Sequence, residues 1–256
     1  MKRHSAKIAS YHESMSAPKP AKRLELPFRV RIVRNDAQLE QAVRIRAEAY
    51  SRHVPTLGEV LAEPEPVDRN PDSIVFLAEG KVDEEPLGTI RIQTNFVSPL
   101  SIEKSVELPE QFRGRPLAGV SRLGVKAGAR GRLVKLALFK AMHRYCLAKQ
   151  VEWVLIGARP PLDKEYLDLG FFDVFPDREP RPLLSANGIA HRILAFDVQG
   201  AERHALASNH PLYSFMFRRF HPDIEIFASV SNMWSRPRLS RRHSLTELQE
   251  LIPPVV

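Results

Sequence analysis

Phe28 to Arg34, FRVRIVR, alternates apolar with basic residues and predicts a half-exposed strand. Asp36 follows as a predicted helix N-cap. Leu39, Val43, Ala47 and Tyr50 then recur every three or four residues, which predicts a helix over 37–53 with one buried stripe. Residues 54–72 carry four prolines and little periodicity, and a loop of that length inside a domain is expected to be functional or disordered. Two apolar runs, SIVFLAEG at 73–80 and LGTIRIQTNF at 87–96, are broken by Glu84-Glu85-Pro86 and predict a hairpin. LAGVSRLGV at 117–125 predicts a third strand of this group, 131–149 a long amphipathic helix, and VEWVLIGA at 151–158 a returning strand. PLDKEYLDLGFFDV at 161–174 reads as a short helix ending near Gly170 and then a strand, and GIAHRILAFDV at 188–198 closes the sheet. Residues 201–220 read as helical with an interruption at Pro211, and Ser244-Leu-Thr-Glu247 has the capping-box form of a short terminal helix. The order β-α-β-β-β-α-β-α-β-β describes a single α/β domain over 28–230, a mixed central sheet flanked by helices. A tail at 1–27 precedes it and one at 231–256 follows.

Composition narrows the classes. The one cysteine, Cys146, rules out an intrachain disulfide and a cysteine-based metal cluster, and its place on the buried side of the long helix predicts inert core. His191, His204, His210 and His221 lack the paired spacing of a metal site and read as structural; no metal is expected. No apolar run is long enough to span a membrane, and the first residues lack the apolar core of a secretory signal, so a cytoplasmic protein is expected. The net charge of +8 sits mostly in the tails: residues 1–27 hold six Lys or Arg against two Glu, and 231–256 hold four Arg against two Glu. No zinc-finger, RNP or homeodomain pattern accompanies it, so no specific nucleic acid is expected. Basic tails suit an acidic protein partner, peripheral contact with an anionic membrane surface, or simple solubility.

The stretch AGVSRLGVKAGARGRLVKLAL at 118–138 reads as strand, turn and helix start. A helix start exposes N–H groups and the positive end of the macrodipole, which together attract phosphate. Arg130, Gly131 and Arg132 lie there: the glycine permits close approach of a ligand, and the arginines add charge. The plainer alternative is a strand–helix connection with surface arginines. A Walker A Lys-Ser pair is absent, as is G-x-G-x-x-G, which argues against a nucleotide.

A strand ending in Val125, an Arg-Gly turn, a helix, a strand and then Tyr166-Leu-Asp-Leu-Gly-Phe171 resemble the core of the GNAT acyltransferases. In that fold the turn holds the diphosphate of a pantetheine-bearing donor, and a tyrosine four residues before Gly-Phe protonates the departing thiolate. The resemblance implies both roles here, with Tyr166 as the acid; a tyrosine packed on the sheet is the alternative. The usual small residues of the GNAT turn are replaced by Leu133 and Lys135. This departure points to a branch that takes acyl chains from acyl carrier protein (ACP), whose arm carries one phosphate.

Arg46-x-x-x-Tyr50, then Asp68 and Asp72, Gly88-Thr-Ile-Arg91 and Ser121-Arg122 follow the layout of LuxI-type acyl-homoserine lactone synthases and the FeeM-type N-acyl amino acid synthases. The Ser-Arg-Leu-x-Val strand, the Tyr-x-x-Leu-Gly-Phe segment and HPLYSFMFRRFHPDI at 210–224 are more similar to the FeeM-type group. The resemblance covers 28 to about 225. It implies an N-acyltransferase with acyl-ACP, or acyl-CoA, as co-substrate, a small amine or amino acid as acceptor, and no permanent cofactor. It further implies that backbone N–H groups of Leu123, Gly124 and Val125 hold the thioester oxygen. Arg130, Gly131 and Arg132 would bind the pantetheine phosphate, while Arg46, Tyr50, Asp68, Asp72, Arg91, Ser121 and Arg122 would form the amine pocket; for Arg46 and Tyr50 the alternative is that they cap the core. Arg91 and Arg122 are the expected holders of a substrate carboxylate, with an internal ion pair to Asp68 or Asp72 as the alternative. ACP is acidic, so Lys126, Arg130, Arg132, Lys135 and the tails are its expected docking surface.

One position departs from the family. A glutamate that helps accept the amine proton usually stands two residues before Ser-Arg, and here that residue is Gly119. A general base contributes about 10²–10⁴ in rate. An amine of pKa about 8 is roughly one-tenth neutral at pH 7, a smaller cost that a water chain or the substrate's carboxylate can meet. Weakened or altered activity is expected. An acyl-homoserine lactone synthase, an acyl-CoA-dependent GNAT and a GNAT-fold binding protein without chemistry remain the alternatives.

Overall fold

The computed structural model describes residues 25–128 and 130–226. Most of both expected tails, and the capping box at 244–247, lie outside them. The elements run β1 (Phe28–Ile32), α1 (Asp36–Ser51), α2 (Pro55–Val60), β2 (Ser73–Gly80), β3 (Pro86–Thr94) and β4 (Leu117–Val125). After these come α3 (Gly131–Ala148), β5 (Trp153–Ala158), α4 (Leu162–Leu167), β6 (Phe172–Asp173), β7 (Arg181–Pro182), β8 (Ala190–Asp197), α5 (Ala201–Ala207) and β9 (Ile224–Glu225). The sheet order is β6-β8-β5-β4-β3-β2-β1-β9, with β7 against β8. Pairing is antiparallel except for β4 with β5 and β1 with β9. This is the expected mixed sheet flanked by helices, and the hairpin of β2 and β3 forms in register from Ser73–Gln93 to Ala78–Gly88.

The sheet divides its side chains by alternation. Phe76, Ile90, Ile92, Ala118, Val120, Val154 and Ile156 point to the face covered by α3 and α4, where Val134, Leu138 and Met142 complete the main core. On the opposite face, Val75 and Leu77 pack against Leu39, Ala42 and Val43 of α1, and a second cluster gathers around Leu100, Phe112, Leu155 and Ile193. Between these two apolar clusters β3 and β4 present Arg91, Gln93, Gly119 and Ser121. A polar seam therefore runs across one face of an otherwise apolar sheet.

Helix α1 departs from two expectations. Its N-cap is Asn35, whose side chain accepts the Gln38 N–H at 2.9 Å, and Asp36 instead begins the first turn. Its buried stripe is Leu39, Ala42, Val43, Arg46 and Ala49 rather than one through Ala47 and Tyr50. The cause is close packing on β4: a Cβ added at Gly124 would lie 3.1 Å from Arg46 Cα and 3.2 Å from the Ile45 oxygen. A side chain there would push the helix back by a few tenths of an ångström, and at the distance the glycine allows, the helix turns Arg46 into the seam.

The proline-rich stretch 54–72 is ordered. Pro55 starts α2, and Pro66–Arg69 form a 3-10 turn. Residues 201–220 are helical in two pieces, α5 and a π-helical turn at Ser214–Arg218, separated around Pro211. Leu26, expected in the tail, is buried and its N–H donates to Asp223 Oδ2 at 2.7 Å.

Candidate active site

The site begins with a failure of strand pairing. β4 runs beside β5 only from Leu117–Trp153 to Val120–Ile156. Beyond that, Ser121 to Val125 keep their pairing with β3, while Gly157 and Ala158 pair with β8. The strands part there, and the gap opens a cleft lined by Tyr50, Gly119, Ser121, Arg122, Leu123, Tyr166 and His191.

A bulge shapes one wall. Thr89 pairs with Gly124 but Arg91 with Ser121, so two residues of β4 oppose Ile90. Arg122 takes φ +56 there, a left-handed conformation that costs a non-glycine residue about 1–3 kcal/mol. The bulge turns Arg122 onto the same carboxylate that Arg91 reaches. That carboxylate is Glu65. It accepts from Arg122 Nε and Nη2 at 2.7 and 2.6 Å, from Arg91 Nη1 at 2.9 Å and from Arg46 Nη1 at 3.3 Å. Asp68 accepts from both Nη atoms of Arg46 at 2.9 Å and from Arg91 Nη1 at 3.0 Å.

Arg46 is 0% exposed and Arg91 3%, so these charges are stabilised by one another and not by water. Burial alone would raise the Glu65 pKa, but the hydrogen bond from Arg122 and the charges of Arg91, Arg122 and Arg46 bring it below the ordinary carboxylate value. Asp68 is lowered in the same way: burial opposes, and the bonds and charge of Arg46 outweigh it. Both carboxylates are thus ionised, and the cluster holds three guanidinium groups against two carboxylates.

Of the residues expected in the amine pocket, Arg46, Tyr50, Asp68, Arg91, Ser121 and Arg122 come together. Ser121 Oγ accepts from Arg91 Nε at 3.2 Å, and Arg122 also donates to the Ser185 carbonyl at 2.8 Å. Arg91 thus makes the internal ion pair with Asp68 that was its alternative, whereas Arg122 is paired with Glu65 and with neither Asp68 nor Asp72. Asp72 is elsewhere, accepting the Ser98 hydroxyl at 3.0 Å. Glu65 was not expected. Its signal was Glu65-Pro-Val-Asp68: a proline at the first position of a turn and an acid at the third, whose side chain accepts the Glu65 N–H at 2.8 Å.

Tyr166 reaches the cleft from the opposite face of the sheet. Its ring packs edge-on to Phe139, centroids 5.8 Å apart, and tilted against Phe171 at 5.7 Å, so the residue is packed on the sheet and also lines the cleft. Burial pushes its hydroxyl pKa up, with smaller pushes from Tyr50 and Glu165, and the phenol keeps its proton. Gly119 sits opposite Gln93 and Leu155, and the Leu100 side chain lies 3.6 Å from where its Cβ would be. His191, read as structural, lines the cleft.

A second groove continues from the end of β4 over the start of α3 to α4, lined by Val125, Gly128, Gly131, Arg132 and Asp168. No side chain caps α3 and its first turn holds no acid. Arg130 and Arg132 are exposed and form no ion pair among the described residues, whereas Lys126 pairs with Glu85 and Lys135 with Glu165. Cys146 is fully buried, and burial raises its thiol to about 12, as inert core requires. No helix among the described residues is long and apolar enough to cross a membrane.

The arrangement has known counterparts. The family model described as N-acyl amino acid synthase FeeM matches residues 41–194, a span that holds every residue of the cleft described above. The structure of FeeM, an N-acyl amino acid synthase from uncultured soil microbes, aligns at 18% identity over 74% of this chain and 97% of that one, with a TM-score of 0.56. BjaI, a CoA-dependent acyl-homoserine lactone synthase solved with SAM and isopentyl-CoA, aligns at 17% identity over 80% and 99%, with a TM-score of 0.53. Comparison with curated protein sequences gives no match. With the sheet parted at Val120 and the matched segment spanning both walls of the gap, the chain belongs to the FeeM N-acyl amino acid synthase family and is an N-acyltransferase of GNAT-like fold.

Proposed function

We propose that the protein moves a fatty acyl chain from acyl-ACP to the amino group of an amino acid, giving an N-acyl amino acid. The observation that carries this reading is the cleft at the parting of β4 and β5, which has Tyr166 on one side and a cationic cluster on the other. Three guanidiniums against two carboxylates leave one positive charge uncompensated, and the carboxylate of an amino acid acceptor supplies the missing anion.

The donor arm enters along the groove at the start of α3, with its phosphate at Gly131 and the exposed Arg130 and Arg132. The thioester lies across the parted end of β4, where N–H groups of Leu123 to Val125 hold its oxygen as charge develops. The amine adds to the carbonyl carbon, the tetrahedral intermediate collapses, the C–S bond breaks, and Tyr166 protonates the leaving sulfur. Arg130 and Arg132 remain available to an acidic carrier, while Lys126 and Lys135 are already paired. Such chemistry on ACP belongs in the cytoplasm. Purified protein offered acyl-ACP or acyl-CoA with a panel of amino acids tests the reading by mass spectrometry. Amide from acyl-ACP and a carboxylate-bearing amine is expected. Preference for acyl-CoA corrects the donor, and preference for an amine without a carboxylate corrects the acceptor.

A further inference from the structure

Acylation of an amine releases a proton, and the cleft must take it up. Five of the lining residues titrate: Tyr50, Tyr166, Arg91, Arg122 and His191. Two are arginines and two are phenols, none of them a proton acceptor at neutral pH. Glu65 and Asp68, behind the arginines, are bound by guanidinium groups and held below the ordinary carboxylate range, which makes them poor bases. Gly119 offers no side chain. His191 is what remains.

Its geometry suits the task. Nδ1 lies 2.7 Å from the Ile189 carbonyl oxygen. A carbonyl only accepts, so Nδ1 carries the hydrogen and Nε2 is left with its lone pair. Gly157 packs beside His191: a Cβ there would stand 2.6 Å from Leu183 Cδ1 and 3.3 Å from His191 Cβ. The charges that act on the imidazole are those of Arg159 after β5 and Arg122 on β4, and Tyr50 from α1 and Tyr166 from α4 line the same cleft. Arg181, opposite it on β7, is held by Asp177. Burial first, then the charges of Arg159 and Arg122, lower the His191 pKa below 6.5 against the opposing Ile189 bond, so the ring is neutral at pH 7.

We propose that His191 is the general base of this N-acyltransferase, taking over the proton transfer that Gly119 cannot perform. The proposal rests on the acyl-transfer reading above. The amine nitrogen adds to the thioester carbon, a C–N bond forms, and the carbonyl electron pair moves onto oxygen. Nε2 of His191 takes one proton from the resulting ammonium. The intermediate collapses, the C–S bond breaks, and the thiolate takes the Tyr166 proton. The histidinium proton returns through solvent to the tyrosinate, so one thioester and one amine give one amide and one thiol.

The test has two parts. Nitrogen-15 NMR of the parent protein is expected to show a His191 ring that is neutral at pH 7, protonated at Nδ1 and titrating below 6.5; a charged ring or the other tautomer overturns the proposal whatever the activity. In kinetics, His191→Gln is expected to lower kcat/KM by about 10²–10⁴. The acid limb of the parent, where amine and base both protonate, is expected to approach a slope of two on a logarithmic plot, and that of the variant a slope of one. Adding Gly119→Glu to His191→Gln is expected to restore activity, since a Cβ at 119 meets Leu100 only at ordinary contact distance. A parent with full activity and a His191→Gln variant that matches it overturns the base assignment alone. A parent that acylates no amine from any donor overturns the acyl-transfer reading, and the base assignment falls with it.

Discussion

Glu65 and Arg122 are 57 residues apart in the chain and joined by two hydrogen bonds of 2.7 and 2.6 Å. This pair fixes the strained arginine of the β4 bulge and, through Arg91 and Arg46, ties α1, β3 and the turn at Pro66–Arg69 into one wall of the cleft.

Removing the Glu65 charge leaves three buried or nearly buried guanidiniums facing one carboxylate. Glu65→Gln is expected to cost about 3 kcal/mol of stability, the lower end for breaking a buried pair. For a chain of this size that lowers Tm by about 6–12 °C. Thermal denaturation followed by circular dichroism checks it, and a Tm within 2 °C of the parent contradicts it.

The same cluster sets an acid limit. Glu65 and Asp68 have ordinary values of 4.5 and 3.8, and both are lowered in the folded protein. Their contribution is therefore complete above those values and is lost as pH falls through the lower, folded ones. Urea denaturation should show this contribution steady from pH 7 to about 5 and declining below about 4. In a Glu65→Gln/Asp68→Asn double variant the decline should be shallower.

Tyr166→Phe removes only a hydroxyl, since the ring contacts with Phe139 and Phe171 are kept. Its kcat should fall by about 10²–10⁴ with a parent-like melting curve. An unchanged kcat would show that the sulfur leaves without this proton.

Arg130→Gln and Arg132→Gln should each raise the donor KM by about tenfold, the value of one charge-assisted hydrogen bond to phosphate, and leave the acceptor KM unchanged. Initial rates at varied donor and varied amine separate the two.

Lys140 is 3% exposed and donates from Nζ to the carbonyls of Phe215 and Arg219, each at 2.6 Å. Lys140→Met leaves two carbonyls without their donor, at about 1–3 kcal/mol each. Hydrogen exchange should quicken across 214–219 and remain slow in β3.

The strands and long helices were legible in the sequence because their alternation and helical period reflect burial on a simple sheet: SIVFLAEG and LAGVSRLGV bound β2 and β4 to the residue. The resemblance pointed to Arg46, but its burial in line with an apolar stripe was not legible, because burial of an arginine depends on carboxylates from a distant turn. Glu65 was hidden in a proline-rich segment whose periodicity says nothing about which way its acids face. His191 read as structural because spacing tests for metals say nothing about a single side chain, and its place in the cleft lining, with Nδ1 against the Ile189 carbonyl, is set by the pairing of β5 with β8 rather than by any local pattern.

The most direct measurement counts products in one reaction. With acyl-ACP and an amino acid, amide and free carrier thiol should appear in equal amounts, and both should fall together by at least 10² in Tyr166→Phe. Thiol released without amide would make the protein a thioester hydrolase and contradict the account.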